Sequence, residues 1–176
     1  MSNFSRLRTR VRGELTPPEV RRGLLADDRL VAWATTPDGA FVVASRTGLR
    51  LPDGRLLGWD HIDKAVWQAL SLALTEAVEV APGIAEDLPP VTLTLADPRD
   101  LPAAVRERVT HSVAFTAHNR LPGGSGVRVV GRRVAGQDGL AWSVRYDDPG
   151  QRLDAGSQAA AEQMLAAARA SMTLAE

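Results

Sequence analysis

The sequence predicts an α+β fold in which short strands and tight turns precede a helix in each half of the chain. Three observations predict it. Apolar residues alternate with polar ones at a period of two from about 29 to 75 and again from about 113 to 146, which is typical of half-buried strands. Turn sequences of Pro, Asp and Gly interrupt both stretches. Apolar residues recur at helical spacing near 101–111 and 157–172.

The first half is predicted to be a meander of short antiparallel strands. TPPE at 16–19 provides a cap, two prolines and an early acid, and predicts a short helix over about 17–25. Pro-Asp-Gly at 37–39 and 52–54 predicts two turns, because Pro presets φ and Gly accepts a positive φ. The predicted strands are 30–35, 41–44, 49–51, 56–67 with a bend, 70–75 and 91–95. A loop rich in proline and acid is predicted at 81–90.

A helix closes each half. Leu101, Val105 and Val109 share one helical face, and Asp100 is the candidate N-cap. The strands predicted after this helix are 113–118, 127–130 and 140–146, with a flexible hairpin loop at 121–126. The last helix has a predicted buried stripe of Ala161, Met164, Leu165, Ala168 and Met172.

These elements predict a bent antiparallel sheet or partly open barrel with a capping helix, then a three-stranded antiparallel extension and a C-terminal helix. The chain is long enough to bury a substantial core. We expect a basic arm with a short helix at 1–25 and a first domain at 26–112. An extension at 113–176 is expected to share a core with that domain.

Composition excludes several classes of function. The chain has 176 residues, with 21 basic and 21 acidic residues and a net charge of zero, so overall charge does not indicate nucleic acid or an anionic membrane. It has no cysteine, which excludes disulfides, thiol nucleophiles, iron–sulfur clusters and Cys-ligated zinc. No secretory signal or membrane-spanning apolar run is recognised, so we expect a cytoplasmic protein. Lys64 is the only lysine, which indicates a GC-rich bacterial genome such as that of an actinobacterium.

Two segments of the first half carry a family-like pattern. They are RTGLRL at 46–51 and WDHIDKAV at 59–66. With the strands and the helix around them, they resemble the bacterial pleckstrin-homology-like (PH-like, GRAM-like) domains over about residues 26–112. The resemblance implies a strongly bent sheet closed by one amphipathic helix, and a scaffold that binds proteins, peptides or lipids. It implies no catalytic residue.

No motif for nucleophilic catalysis or phosphate binding is recognised. GGSGV at 123–127 lacks the last glycine of a nucleophile elbow, and a strand follows it where a phosphate-binding loop needs a helix. A hairpin loop is therefore the favoured interpretation. Arg132 and Arg133 could meet an anion, but paired arginines on a half-exposed strand favour a solvated surface.

The histidines and paired acids predict no metal or catalytic site. Glu107 and His111 lie four residues apart on a predicted helix, which favours a surface ion pair, since a metal site needs three or four ligands. His118 is expected to point outward from its strand. Asp60 and Asp63 could perform acid–base chemistry, but Asp60 is favoured as a residue that fixes a bend. We expect no cofactor.

Binding residues are predicted in two places. The N-terminal arm has arginines that share one face of an extended chain, namely Arg6, Arg8, Arg10 and Arg12. They either bind anionic lipid or nucleic acid or lie solvated on a strand at the sheet edge, and their alternation with apolar residues favours the strand. Trp59 and Trp67 are candidate partner contacts, because exposed Trp is enriched in binding hot spots, although most Trp in strands is core.

The sequence leaves three hypotheses for function. The first is a non-enzymatic binding module that docks a protein partner or a second copy of itself. The second is peripheral binding of anionic lipid or nucleic acid through the Arg6–Arg12 arm, which raised salt would abolish. The third is an enzyme with an unrecognised site, which requires a deep pocket where acids, His or Arg converge. The absence of a catalytic motif favours the first.

Overall fold

The protein has the α+β fold that the sequence predicts. A computed structural model describes residues 16–173. These residues form two sheets, three helices and two short 3₁₀ turns. The short helix predicted near the start is present as α1 (Pro18–Arg22), with Pro17 at its N-cap and Val20 buried.

The first sheet is an antiparallel meander of four short strands. In chain order they are β1 (Leu30–Thr35), β2 (Phe41–Ser45), β3 (Gly48–Arg50) and β4 (Leu56–Gly58). Both Pro-Asp-Gly turns form as predicted, with Gly39 at a φ of 85° and Gly54 at 87°, a region open to glycine. The second turn is closed by a hydrogen bond that Leu51 N donates to Arg55 O at 2.8 Å. Local turn chemistry therefore sets the strand pairing of this sheet.

The second sheet has seven strands and contains residues of both halves of the chain. They are β5 (Ile62–Gln68), β6 (Ser71–Ala81), β7 (Ile84–Asp87), β8 (Val91–Thr94), β9 (Val113–Arg120), β10 (Gly126–Arg133) and β11 (Leu140–Tyr146). Their order is β5-β6-β7-β11-β10-β9, and β8 also pairs with β6. β7 and β11 run parallel, with Ile84 opposite Val144. This pair joins the two halves in one continuous sheet.

The prediction of a loop at 81–90 is wrong, because this segment contains β7. The turn between β6 and β7 is short, with Gly83 at a φ of 72°. The acids that suggested a loop are paired: Glu86 lies 3.2 Å from Arg152, and Asp87 contacts Arg145. Arginines distant in sequence supply the opposite charge, so the local pattern could not reveal the strand.

Helix α2 (Leu101–Ser112) closes the first half, as predicted. Leu101 and Val105 are fully buried in a hydrophobic cluster that contains residues of both sheets. Asp100 occupies the N-cap position, but its side chain accepts no capping hydrogen bond. Burial of one helical face, rather than the cap, therefore holds this helix.

Helix α3 (Ala155–Thr173) packs on β10 and β11. Of its predicted stripe, Ala161 and Ala168 are buried and the other three members are partly buried. Asp154 caps its first turn by accepting a hydrogen bond from Ser157 N at 2.8 Å, and this bond lowers the pKa of the Asp154 carboxyl. The helix and the strands beneath it form a second hydrophobic cluster.

A group of charges with two buried arginines connects the two halves. We call it the Asp63 cluster, and it consists of Asp63, Asp87, Arg132 and Arg145. Asp63 on β5 contacts both arginines, and Arg132 Nη1 also donates to Ile62 O at 3.0 Å. Burial lowers the pKa of Arg132, and the charge of Asp63 opposes that shift. The prediction that Arg132 lies on a solvated surface is wrong, since only 7% of the residue is exposed.

Candidate functional site

A cleft of about 660 Å³ opens between the first sheet, the ends of two helices and the β10–β11 hairpin. We call it the arginine cleft, because four arginines line it, each from a different element. They are Arg46 of the β2–β3 turn, Arg108 of α2, Arg133 of β10 and Arg169 of α3. The hairpin loop 134–139 forms one wall. The volume lies within the range of roughly 300–1,000 Å³ typical of ligand pockets.

The lining of the cleft is strongly basic. Among the described residues that line it, Asp138 is the single acid. Neither Arg46 nor Arg108 forms an ion pair within residues 16–173. Arg133 Nη1 donates to His111 O at 2.8 Å, where a cation favourably meets the C-terminal end of α2. Positive charge concentrated in a concave surface favours the binding of an anion.

The backbone that carries Arg46 is held by Asp28. The Asp28 carboxylate accepts hydrogen bonds from Thr47 N at 3.3 Å and from Arg29 N at 2.9 Å, and it also contacts the Thr47 hydroxyl. Arg46 N donates to Arg29 O at 2.9 Å. Partial burial raises the pKa of Asp28, but the hydroxyls of Ser45 and Thr47 and the backbone amides of Arg29 and Thr47 together lower it below its ordinary value. The β2–β3 turn therefore presents Arg46 from a fixed backbone.

Two indole rings form apolar parts of the wall. Trp142 is half-buried, and a Cβ added to Gly131 would lie 3.1 Å from its ring, so the glycine allows the indole to lie across β10. Gly131 lies between Trp142 on β11 and Phe115 on β9, and the ring centres of Phe115 and Trp142 are 5.4 Å apart. Trp59 is only 5% exposed, and its Nε1 donates to Ser45 O at 3.1 Å. Trp142 therefore offers more accessible surface to a ligand than Trp59 does.

The residues predicted to bind a partner fall in three places. Arg6, Arg8, Arg10 and Arg12 lie outside the described residues. Trp59 lines the arginine cleft, in a 3₁₀ turn (Trp59–His61) rather than in the predicted strand. Trp67 lies on β5, packs against the first hydrophobic cluster and does not line the cleft. Of the two candidates that the structure describes, Trp59 lies at the cleft and Trp67 does not.

The paired acids and histidines also differ from expectation. The ion pair expected between Glu107 and His111 is absent, and both residues are exposed. His118 is exposed as expected, and its ring lies 2.8 Å from Asp147. Asp60 lies in the bend, but it contacts the His61 ring at 3.4 Å instead of backbone amides. Within residues 16–173, no three His, Asp or Glu side chains are arranged to hold a metal ion.

Sequence reasoning missed the cleft itself. Arg108 and Arg169 carry no local signal, because a basic residue on an exposed helix face is ordinary. Arg133 was considered only together with Arg132, and the two side chains lie in different surroundings: Arg132 is buried and Arg133 is exposed. The convergence of these side chains depends on tertiary structure alone.

No helix within residues 16–173 is long and apolar enough to cross a membrane. Comparison of the chain with family models, with curated proteins and with solved structures finds no match. The PH-like resemblance of residues 26–112 therefore stays a prediction. The function has to be inferred from the chemistry of the cleft.

Proposed function

We propose that this protein is a non-enzymatic binding module that docks a protein partner by taking an anionic side chain of that partner into the arginine cleft. One observation carries the proposal: four arginines from four elements line a concave surface whose described lining contains one aspartate. Guanidinium groups form planar, paired hydrogen bonds with carboxylate and phosphate. Arg clusters of this kind are a recurrent way of recognising acidic or phosphorylated segments.

The composition of the lining favours binding over catalysis. Acid–base chemistry usually needs groups whose pKa lies near the working pH, and arginine does not titrate in that range. Among the described residues of the lining, the other titratable groups are His111 and Asp138, and both are exposed. The enzyme hypothesis stays the alternative that a catalytic assay would have to establish.

The other two hypotheses concern different surfaces. Binding of lipid or nucleic acid through Arg6–Arg12 stays a prediction about residues outside the described range. A second copy of the chain is the other form of protein partner, and an acidic segment of that copy would occupy the same cleft. Sedimentation at increasing protein concentration distinguishes self-association from docking of a different protein.

The test is isothermal titration calorimetry of the full chain with a peptide of eight glutamates at low salt. We expect binding that weakens as salt is raised, because the contacts are ionic. Arg108→Ala should weaken it about tenfold, the loss expected for one charged hydrogen-bonding group. Arg106→Ala is the matched control, since Arg106 lies on the same helix, is exposed and does not line the cleft.

Two outcomes would overturn the proposal. One is the absence of heat with every anionic peptide, acidic or phosphorylated, at low salt. The other is an equal loss of affinity in Arg106→Ala and Arg108→Ala, which would show that the peptide responds to the overall charge of α2 and not to the cleft. An eight-lysine peptide, which should not bind, controls for nonspecific association.

A further inference from the structure

We infer that the anionic group received by the arginine cleft is a phosphate monoester on a side chain of the partner, so that phosphorylation of the partner switches docking on. The inference rests on the proposed function and names the chemistry of its ligand.

Charge balance favours phosphate over a single carboxylate. Even without Arg169, the three arginines Arg46, Arg108 and Arg133 against Asp138 leave an excess of two positive charges in the described lining. A carboxylate supplies one negative charge, whereas a phosphorylated side chain supplies about 1.5 to 2 at neutral pH. A single phosphate therefore neutralises more of the lining than any unmodified side chain can.

The distribution of the arginines over separate elements also favours phosphate. Arg46 belongs to the β2–β3 turn, Arg108 to the last turns of α2 and Arg133 to the end of β10, so the guanidinium groups approach from separate elements. A carboxylate has two acceptor oxygens in one plane. A phosphate monoester has three acceptor oxygens arranged around phosphorus, and it can accept hydrogen bonds from several directions at once. Donors placed on separate parts of the lining therefore suit a phosphate better than a carboxylate.

The shape of the cleft favours a side chain over an extended polyanion. Loop 134–139 and Trp142 bound a cavity of about 660 Å³. A nucleic-acid backbone needs cations spaced along a groove, whereas these arginines surround one concave space. Leu140, Met172 and Trp142 provide apolar surface for the stem of an inserted side chain. A free nucleotide also presents one phosphate on a compact group, and the experiment below distinguishes it from a phosphorylated side chain.

The experiment compares ten-residue peptides that are otherwise neutral and differ at one central position. That position is phosphoserine, phosphotyrosine, serine or glutamate, and each peptide is titrated into the full chain by calorimetry. We expect a phosphopeptide to bind at least about tenfold more tightly than its glutamate form, and the serine form not to bind. Arg46→Ala and Arg108→Ala should each weaken phosphopeptide binding about tenfold, while Arg106→Ala should not change it.

The outcomes separate this inference from the proposed function. Equal affinity for the glutamate and phosphorylated forms would overturn the phosphate inference and leave the acidic docking site intact. No binding of any anionic peptide would overturn both. Tighter binding of adenosine monophosphate than of either phosphopeptide would overturn the side-chain ligand in favour of a nucleotide. The urea midpoint of each variant, measured beside its affinity, shows that a lost affinity is not a lost fold.

Discussion

Arginine has opposite surroundings in two regions of this protein, the Asp63 cluster and the arginine cleft. In the Asp63 cluster, Arg132 and Arg145 are each less than a tenth exposed, and both contact Asp63. In the cleft, Arg46 and Arg108 face a concave surface that has a single acid in its described lining. The same side chain is therefore neutralised within the fold at one site and left with its charge available at the other.

The difference follows from the cost of burying a charge. A buried guanidinium requires a carboxylate and further hydrogen-bond acceptors, and Arg132 obtains them from Asp63, Ile62 O and the Ser112 hydroxyl. A guanidinium in contact with water requires neither, so the fold can tolerate a group of like charges there. Repulsion within such a group slightly destabilises the folded protein. A small loss of stability of this kind is typical of functional surfaces.

The largest expected effect is in the Asp63 cluster. Asp63→Asn removes the negative charge shared by Arg132 and Arg145, and breaking a buried pair typically costs 3 to 5 kcal/mol. We expect the free energy of unfolding to fall by about 3 kcal/mol, since Asp87 still contacts Arg145. Urea unfolding followed by tryptophan fluorescence measures it.

The matched control is Asp138→Asn in the arginine cleft, which should change stability by less than about 0.5 kcal/mol. A loss below about 1 kcal/mol for Asp63→Asn would contradict the structural role of the cluster.

An intermediate effect is expected at Asp28, which holds the turn that carries Arg46. Asp28→Asn should lower the free energy of unfolding by about 1 kcal/mol at pH 7, since a charge-assisted acceptor is lost. The pKa of Asp28 is lowered in the folded state, so its contribution is present above the unfolded pKa of about 3.9 and is lost as pH falls through the folded value. The wild type should therefore lose stability on acidification below about pH 4 by more than the variant does.

This experiment compares urea midpoints of the two proteins between pH 7 and pH 2.5. If the stabilities of the two proteins fell in parallel with pH, the pKa of Asp28 would be the same in the folded and unfolded states, which would contradict the prediction. The binding of the phosphopeptide to Asp28→Asn gives a second measurement, because a displaced β2–β3 turn should weaken it, whereas a purely local loss of stability should not.

The smallest effect on stability is expected in the cleft. Arg108→Ala should change the free energy of unfolding by less than about 0.5 kcal/mol, because the guanidinium has no ion pair within residues 16–173. A loss above about 1 kcal/mol would show that Arg108 is a structural residue, and the contrast between the two regions would then fail.

Local patterns account for most of the strands and both long helices. The Pro-Asp-Gly turns and the period of two predict β1 to β3, and helical spacing predicts α2 and α3. β7 was missed because its acids resemble a loop until Arg145 and Arg152 are placed beside them. Its partner β11 lies far along the chain, and a parallel pairing of this kind leaves no turn signal.

The site was less predictable than the fold for the same reason. Arg46 and Arg169 are far apart in sequence and meet only when both helices and both sheets are in place. Of the cleft residues that the sequence analysis considers, only Trp59 is predicted to contact a partner, because Trp is common in binding surfaces, whereas Arg133 and His111 are interpreted as ordinary surface residues. A single sequence contains no signal that would group residues from four separate elements.

The Asp63 cluster can form only late in synthesis, because its residues are far apart in the sequence. Arg145 lies 82 residues after Asp63, so at typical elongation rates its side chain appears roughly 4 to 16 s later. For most of that interval Asp63 has neither of its two cations, since Arg132 follows it by 69 residues, and β7 has no β11 to pair with. An unpaired strand edge is a site of aggregation, so we expect the nascent first half to be most prone to association before β11 has been synthesised.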